Sequence, residues 1–161
     1  MVLPHRRATV RLGRAIGAAC EPGDVVALEG PLGAGKTFLA RAICRGLGVG
    51  ASVPVTSPTF TLVHELRGRH RIVHADLYRL ASEDDLEPVG LVDAAEGAVL
   101  LVEWPDRAPG LCRDALVITL GRGVAVGRIA VLRATGPRSE ALAARVRFPE
   151  ITATREGPAA S

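Results

Sequence analysis

The stretch Gly30-Pro31-Leu32-Gly33-Ala34-Gly35-Lys36-Thr37 satisfies every specified position of the pattern G-x-x-x-x-G-K-[ST], which is typical of a phosphate-binding loop, or P-loop. The run Val25–Glu29 before it is short and nearly all apolar, as in a buried parallel strand. After the loop, apolar side chains at helical spacing predict a helix that ends near Gly48. The sequence therefore predicts strand, glycine loop and helix in the order that a phosphate cradle requires.

The loop brings its own chemistry. Its backbone N–H groups are expected to converge on phosphates, while Lys36 reaches the β- and γ-phosphates and the Thr37 hydroxyl binds Mg²⁺. Lys36 is the only lysine among 20 basic residues, which favours a requirement for a compact ammonium that arginine does not replace. The alternative is a glycine-rich turn that merely caps a helix, and it leaves the lone lysine unexplained.

Length and composition predict one globular domain. The chain has 161 residues, of which 48% are hydrophobic and 23% charged. We expect a single domain over residues 1–148 and a flexible tail over 149–161. No apolar run approaches the length of a membrane span, and no signal-peptide pattern opens the chain, so the cytoplasm is the expected compartment and no membrane partner is expected. The three cysteines are widely spaced, which favours reduced thiols.

The remaining pattern predicts an α/β protein in which antiparallel hairpins join a parallel core. The expected elements are a helix around Leu12–Ala19, a hairpin of Phe60–Leu66 with Arg71–Leu77, a short acidic helix from Ser82 to Pro88, a buried strand Val99–Glu103, a second hairpin of Ala115–Leu120 with Val124–Arg133 turning at Gly121–Gly123, and a helix Ser139–Arg147. No internal repeat or linker divides the chain.

Two carboxylates are candidates for the magnesium side of the site. Asp76 and Glu103 each close an apolar strand, and ligands of open α/β sheets bind outside the carboxyl ends of the strands. The alternative for each is a pairing with arginine or a helix cap. The hydroxyl-rich segment Thr56–Thr59 is either a switch that contacts the γ-phosphate or a simple turn, and the local sequence leaves both open.

Aromatic residues and histidines are less decisive. The only tyrosine, Tyr78, and the only tryptophan, Trp104, follow closely after the two candidate carboxylates, so contact with a nucleotide or partner and ordinary rim packing both stay open. His64, His70 and His74 lack cysteine or aspartate at ligand spacing, which argues against a zinc site.

Missing amides exclude whole classes of P-loop protein. The chain has no asparagine and no glutamine, so it lacks the N-K-x-D motif and the water-positioning glutamine of Ras-like GTPases, and the L-S-G-G-Q signature of transporter ATPases. A small-molecule kinase and a regulatory or motor ATPase remain. A kinase usually needs an arginine-bearing lid, and the hairpin with its acidic helix makes a poor one.

A set of motifs resembles the TsaE (YjeE) family, the bacterial ATPases required for threonylcarbamoyladenosine modification at position 37 of tRNAs that read ANN codons. The resemblance runs from about Thr9 to Val131. It rests on Gly30-x-Leu32-Gly33-Ala34-Gly35-Lys36-Thr37, Ser57-Pro58-Thr59-Phe60, His74-x-Asp76-Leu77-Tyr78-Arg79, Gly90-Leu91 and Glu103-Trp104-Pro105. Pro31, Phe38 and Ala75 depart from the usual family residues, and none removes a group needed for phosphate chemistry.

The resemblance implies a three-layer P-loop NTPase-like fold with a mixed, mainly parallel central sheet and antiparallel hairpin additions. It implies ATP and Mg²⁺ as ligands, the TsaB–TsaD complex as partner, and tRNA contact through that complex, with which a net charge of +3 is compatible. Lys36, Asp76 and Glu103 would be catalytic, Thr37 and Glu103 would hold the metal, and Asp76 would be the Walker-B-like carboxylate. The implied nucleotide contacts are Gly30, Leu32, Gly33, Ala34, Gly35, Lys36, Thr37, Phe38, Thr59 and Trp104.

Overall fold

A seven-stranded mixed sheet organises the parts of the chain that the computed structural model describes, residues 1–87, 90–123 and 127–148. The strands are β1 (Val2–Leu3), β2 (Val25–Glu29), β3 (Val63–Arg67), β4 (Arg71–Asp76), β5 (Val99–Glu103), β6 (Leu116–Arg122) and β7 (Arg128–Ala134). The helices are α1 (Arg6–Ala19), α2 (Lys36–Gly46), α3 (Leu91–Ala95) and α4 (Pro137–Arg145).

The strand order is β1-β7-β6-β2-β5-β4-β3. The four central strands β6, β2, β5 and β4 run parallel, whereas β3, β7 and β1 pair antiparallel at the two edges. This arrangement confirms the predicted mixed, mainly parallel sheet with hairpin additions.

Helices cover both faces of the sheet. Val99 and Leu101 of β5 belong to the core shared with α1, α2 and α4, while Leu100 and Val102 belong to the core shared with α3. Every residue of β5 is buried, as expected for a central strand of a parallel sheet, whose side chains alternate between two covered faces. The predicted three-layer architecture follows from this alternation.

The first hairpin is shorter than predicted. Its first strand begins at Val63 instead of Phe60, because the chain turns just before it: the Leu62 N–H donates to Pro58 O at 2.6 Å, and Leu62 has a φ of +63°. At its other end β3 extends one residue past the predicted Leu66, to Arg67, so the loop between the two strands is Gly68–His70, one residue shorter than predicted.

The second hairpin turns later than predicted. β6 continues through Gly121, which pairs with Ile129, to Arg122, which pairs with Arg128. The predicted turn at Gly121–Gly123 is therefore wrong, and the first residues of the predicted strand Val124–Arg133, residues 124–126, lie outside the described ones.

Helix α4 begins two residues before the predicted start. Pro137 occupies its first turn, and the Asp114 carboxylate accepts hydrogen bonds from the Arg138 and Ser139 backbone N–H groups at 2.9 and 2.8 Å. A carboxylate from a distant part of the chain thus caps the helix, which local sequence does not reveal.

The predicted short acidic helix is present as a 3₁₀ helix, Glu83–Leu86, with Ser82 at its N-cap. Its start is fixed by the Asp85 carboxylate, which accepts from the backbone N–H groups of Ala81 and Ser82 at 3.1 Å each. The predicted stop at Pro88 and the predicted tail 149–161 lie outside the described residues, and the domain limits stay a prediction. No helix within the described ranges combines the length and apolarity needed to cross a membrane.

Candidate functional site

The carboxyl edge of the parallel strands gathers the predicted site residues. β2 leads into the glycine loop, and Asp76 at the end of β4 pairs in register with Glu103 at the end of β5. A cavity of about 330 Å³ lies between the glycine loop and these two carboxylates. It is lined by Leu32, Gly33, Gly35, Lys36, Thr37, Phe38, Ser57, Thr59, Asp76, Tyr78, Glu103 and Trp104.

The glycine loop curls around the Lys36 ammonium. Gly30 and Gly33 adopt φ values of +136° and +77°, a backbone conformation that favours glycine. Lys36 begins α2, and its Nζ donates to Gly30 O at 2.7 Å and to Pro31 O at 3.1 Å. Burial lowers the pKa of Lys36, while the carboxylates of Glu103 and Asp76 act in the opposite direction. A cation held by weak neutral acceptors next to a cavity is available to a phosphate.

Thr37 and Glu103 form the second part of the site. The Thr37 hydroxyl donates to Glu103 Oε2 at 2.9 Å, and Glu103 is 2% exposed. On the other carboxylate oxygen, Oε1, the His74 Nε2 lies at 2.9 Å. A hydroxyl and a carboxylate side by side are the oxygen ligands that Mg²⁺ prefers, so this pair fits the ion that a P-loop implies.

Asp76 ties the hydroxyl-rich segment to the end of β4. Its Oδ2 accepts from the Ser57 hydroxyl and, at 3.3 Å, from the Thr59 hydroxyl, while its Oδ1 accepts from the Tyr78 N–H at 3.1 Å. Ser57 and Thr59 are also joined to each other, at 2.9 Å. Within the described part of the chain neither Asp76 nor Glu103 pairs with an arginine; both line the cavity, and each accepts from at least one hydroxyl.

Aromatic rings form the rim. Trp104 follows Glu103 with a φ of +60°, and its ring lies 3.9 Å from Lys36 Nζ and 5.0 Å from the Tyr78 ring. Outside the cavity lining, the Arg79 guanidinium lies over the ring of Phe60, which is 85% exposed. Trp104 thus contacts the loop lysine, while Arg79 stacks on Phe60 and does not line the cavity.

Most predicted site residues line the cavity, and two do not. Gly30 and Ala34 belong to the loop but not to the cavity lining, and their carbonyl oxygens accept from Lys36 Nζ and from Arg128 Nε, at 2.7 and 2.6 Å. Sequence reasoning missed Arg128, which comes from β7. It named His74 in the family motif but gave it no role in the site, although His74 lies two residues before Asp76 on the same face of β4.

Comparison with known proteins agrees with the motifs. The family model of "Threonylcarbamoyl adenosine biosynthesis protein TsaE" matches residues 3–128. The chain belongs to the TsaE family. The TsaE protein of Treponema pallidum is 41% identical over 100 residues, covering 62% of this chain and 73% of that protein. The TsaE protein of Rickettsia felis is 35% identical over 118 residues, covering 73% and 68%.

The fold is shared as well. The crystal structure of Bacillus subtilis YdiB superposes with a TM-score of 0.72 at 28% identity, covering 91% of each chain. The TsaE family takes part in the biosynthesis of threonylcarbamoyladenosine in tRNA, and a P-loop fold is that of a nucleotide-binding protein. The resemblance that the motifs indicated is therefore confirmed at the level of family and fold.

Proposed function

We propose that this TsaE-family protein binds and hydrolyses ATP with Mg²⁺ to support the TsaB–TsaD complex in the modification of tRNA at position 37. The observation that carries the proposal is the convergence of Lys36, Thr37, Asp76 and Glu103 on one cavity at the carboxyl edge of the sheet. These groups come from three separate segments of the chain, and a structural role for any one of them does not explain their meeting.

The loop and its lysine bind the phosphates in this proposal. Phosphoryl transfer needs little covalent help from the protein, so positioning and charge stabilisation do most of the work. Lys36 exchanges its carbonyl acceptors, Gly30 O and Pro31 O, for phosphate oxygens, a stronger charge-assisted interaction. The backbone N–H groups at the start of α2 add partial positive charge at the same place.

Thr37 and Glu103 hold the metal. Mg²⁺ bound there supplies charge neutralisation on the phosphate oxygens. The 2.9 Å hydrogen bond between Thr37 Oγ1 and Glu103 Oε2 places both ligands next to each other before the ion binds. Little rearrangement is therefore required of the protein.

Asp76 and its two hydroxyl partners act on the γ-phosphate side. The Ser57–Thr59 segment is the proposed switch, since its hydroxyls are fastened to Asp76 and line the cavity. A chain without glutamine has no amide to orient the attacking water, and Arg79 is stacked on Phe60 outside the cavity. We therefore propose slow hydrolysis by the protein alone and stimulation by the partner complex, which acts in the cytoplasm and brings the tRNA.

The test compares turnover and affinity. ATP hydrolysis is measured alone and with the reconstituted TsaB–TsaD complex, followed by modification of a tRNA substrate. Lys36→Ala should reduce single-turnover hydrolysis by about 100-fold or more with the fold intact by circular dichroism, because the point charge on the phosphates is lost. Lys36→Arg is the matched control for charge, and it should not restore activity, since a guanidinium fork does not fit the same carbonyl-lined space.

Three results would count against the proposal. Parent-like hydrolysis by Lys36→Ala would refute the role of the loop. Full activity in isolation with no response to the partner complex would refute the regulatory role. Phosphoryl transfer to a small hydroxyl metabolite would favour a small-molecule kinase instead.

A further inference from the structure

His74 is the one wholly buried histidine of the described residues, and it touches the proposed metal site. It belongs to β4, where its neighbours Val73 and Ala75 are apolar and buried. Its Nε2 lies 2.9 Å from Glu103 Oε1, and His74 is 0% exposed. Its other ring nitrogen, Nδ1, has no hydrogen-bond partner among the described residues.

The contact defines which ring nitrogen carries the proton. A carboxylate oxygen is an acceptor only, so a neutral imidazole can bond to Glu103 only if the proton is on Nε2. The opposite tautomer would set two acceptors against each other at 2.9 Å and would also bury an N–H group without a partner at Nδ1. The geometry therefore requires Nε2–H donating to Oε1, and leaves Nδ1 in the core without a partner among the described residues.

An unpartnered ring nitrogen in the core is a cost that an apolar side chain would avoid. At this position the Nε2–H group offsets that cost, because it holds one oxygen of the Glu103 carboxylate. The terminal torsion of glutamate is broad, so a carboxylate fastened at one oxygen is free to turn its plane. Glu103 is fastened at both: His74 holds Oε1, and the Thr37 hydroxyl meets Oε2. The two bonds together fix the plane of the carboxylate.

We propose that His74 is a positioning residue for the metal site, whose Nε2–H holds Oε1 of Glu103 so that Oε2 stays beside Thr37, where the two groups would hold the ion. The inference rests on the proposed magnesium role of Glu103 and Thr37. Partners of this kind, which orient a ligand without touching the metal, typically contribute 10-fold to 100-fold in metal affinity. His74 does not line the cavity and its ring bonds to Glu103, so its effect passes through that carboxylate.

The test separates metal affinity from nucleotide affinity. Mn²⁺ is titrated into the ADP complex of each protein, and free Mn²⁺ is followed by electron paramagnetic resonance; ADP affinity is measured by calorimetry in EDTA. His74→Met fills the space without a donor and should weaken Mn²⁺ binding by about 10-fold to 100-fold. His74→Gln keeps an N–H at a similar reach and should stay within about threefold of the parent. ADP affinity in EDTA should stay within about twofold for both.

His64→Met is the matched control. His64 pairs in register with His74 across the β3–β4 hairpin. Within the described residues it makes no hydrogen bond to Asp76 or Glu103. It should bind Mn²⁺ and ADP as the parent does.

Nuclear magnetic resonance on the parent protein gives a reading that does not depend on a folded variant. Long-range ¹H–¹⁵N correlations of the histidine rings should show His74 as the Nε2–H tautomer. An Nδ1–H tautomer would overturn the proposal, and so would equal loss of Mn²⁺ affinity in His74→Gln and His74→Met. If the parent binds Mn²⁺ and His74→Met binds it equally well, the role of His74 fails alone. If the parent complex binds no Mn²⁺, the magnesium site of the proposed function fails first, and this role with it.

Discussion

A methyl group added at Gly30 should disturb the glycine loop much more than one added at Gly33. Both residues have positive φ, of +136° and +77°, so alanine is strained at either position. Their surroundings differ. A Cβ on Gly30 would lie 2.4 Å from the backbone oxygen of Leu120 in β6, whereas a Cβ on Gly33 would meet nothing within 4 Å.

The expected cost follows from these distances. Ordinary contact needs a separation of about 3.5 Å or more, so Gly30→Ala must move the loop or β6 by roughly 1 Å. β6 is paired on both sides, with β2 and β7, and Leu120 is 1% exposed, so the loop yields. Backbone strain and overpacking each cost about 1–3 kcal/mol. Because the same displacement of the loop relieves part of both, we expect Gly30→Ala to lower the free energy of unfolding by about 3 kcal/mol in total. Gly33→Ala carries the strain alone, about 1 kcal/mol.

Thermal unfolding of the nucleotide-free proteins measures the difference. For a chain of this size about 3 kcal/mol corresponds to a fall in Tm of roughly 6–12 °C for Gly30→Ala, against roughly 2–4 °C for Gly33→Ala. Gly121→Ala is the control, because a Cβ there also meets nothing within 4 Å and no positive φ is involved. Equal falls in Tm for Gly30→Ala and Gly33→Ala would refute the reasoning, because the positive φ alone, and not contact with the Leu120 carbonyl of β6, would then account for the lost stability.

Three further predictions concern the site and the thiols. Trp104 fluorescence should change on adding ADP, because Lys36 lies over its ring and moves toward phosphate; an unchanged spectrum at calorimetric saturation would contradict this. Arg79→Ala should lose more of the partner-stimulated ATPase rate than of nucleotide affinity, and parallel losses would contradict a role in stimulation. Burial raises the pKa of Cys20 and Cys44 to about 12. Because unfolded thiols ionise near pH 8.5, the free energy of unfolding should fall above about pH 9, and a constant Tm from pH 8 to 11 would contradict this.

Local sequence was a good guide wherever local forces decide the structure. The bounds of β2 and β5, Val25–Glu29 and Val99–Glu103, coincide with their apolar runs, because a strand buried on both faces has no polar position to interrupt it. The start of β3 and the turn of the β6–β7 hairpin were misplaced. The length of a hairpin strand is set by its pairing with its partner strand, and that length is not written in the strand's own composition.

The sequence by itself determined the phosphate loop. The positions of Lys36 and Thr37 are set by the neighbouring glycines and by the start of α2, all within the continuous segment Gly30–Thr37. It also placed Asp76 and Glu103 at strand ends, and parallel strands bring their carboxyl ends to one edge.

Only the tertiary structure decided which atoms meet there. Thr37 meets Glu103 across 66 residues, and His74 meets it across 29, because the sheet order sets β2 beside β5 and β5 beside β4. Residue patterns encode period and turns, whereas a hydrogen bond between distant segments depends on the order and register in which the strands assemble, and these are settled by the packing of the whole core.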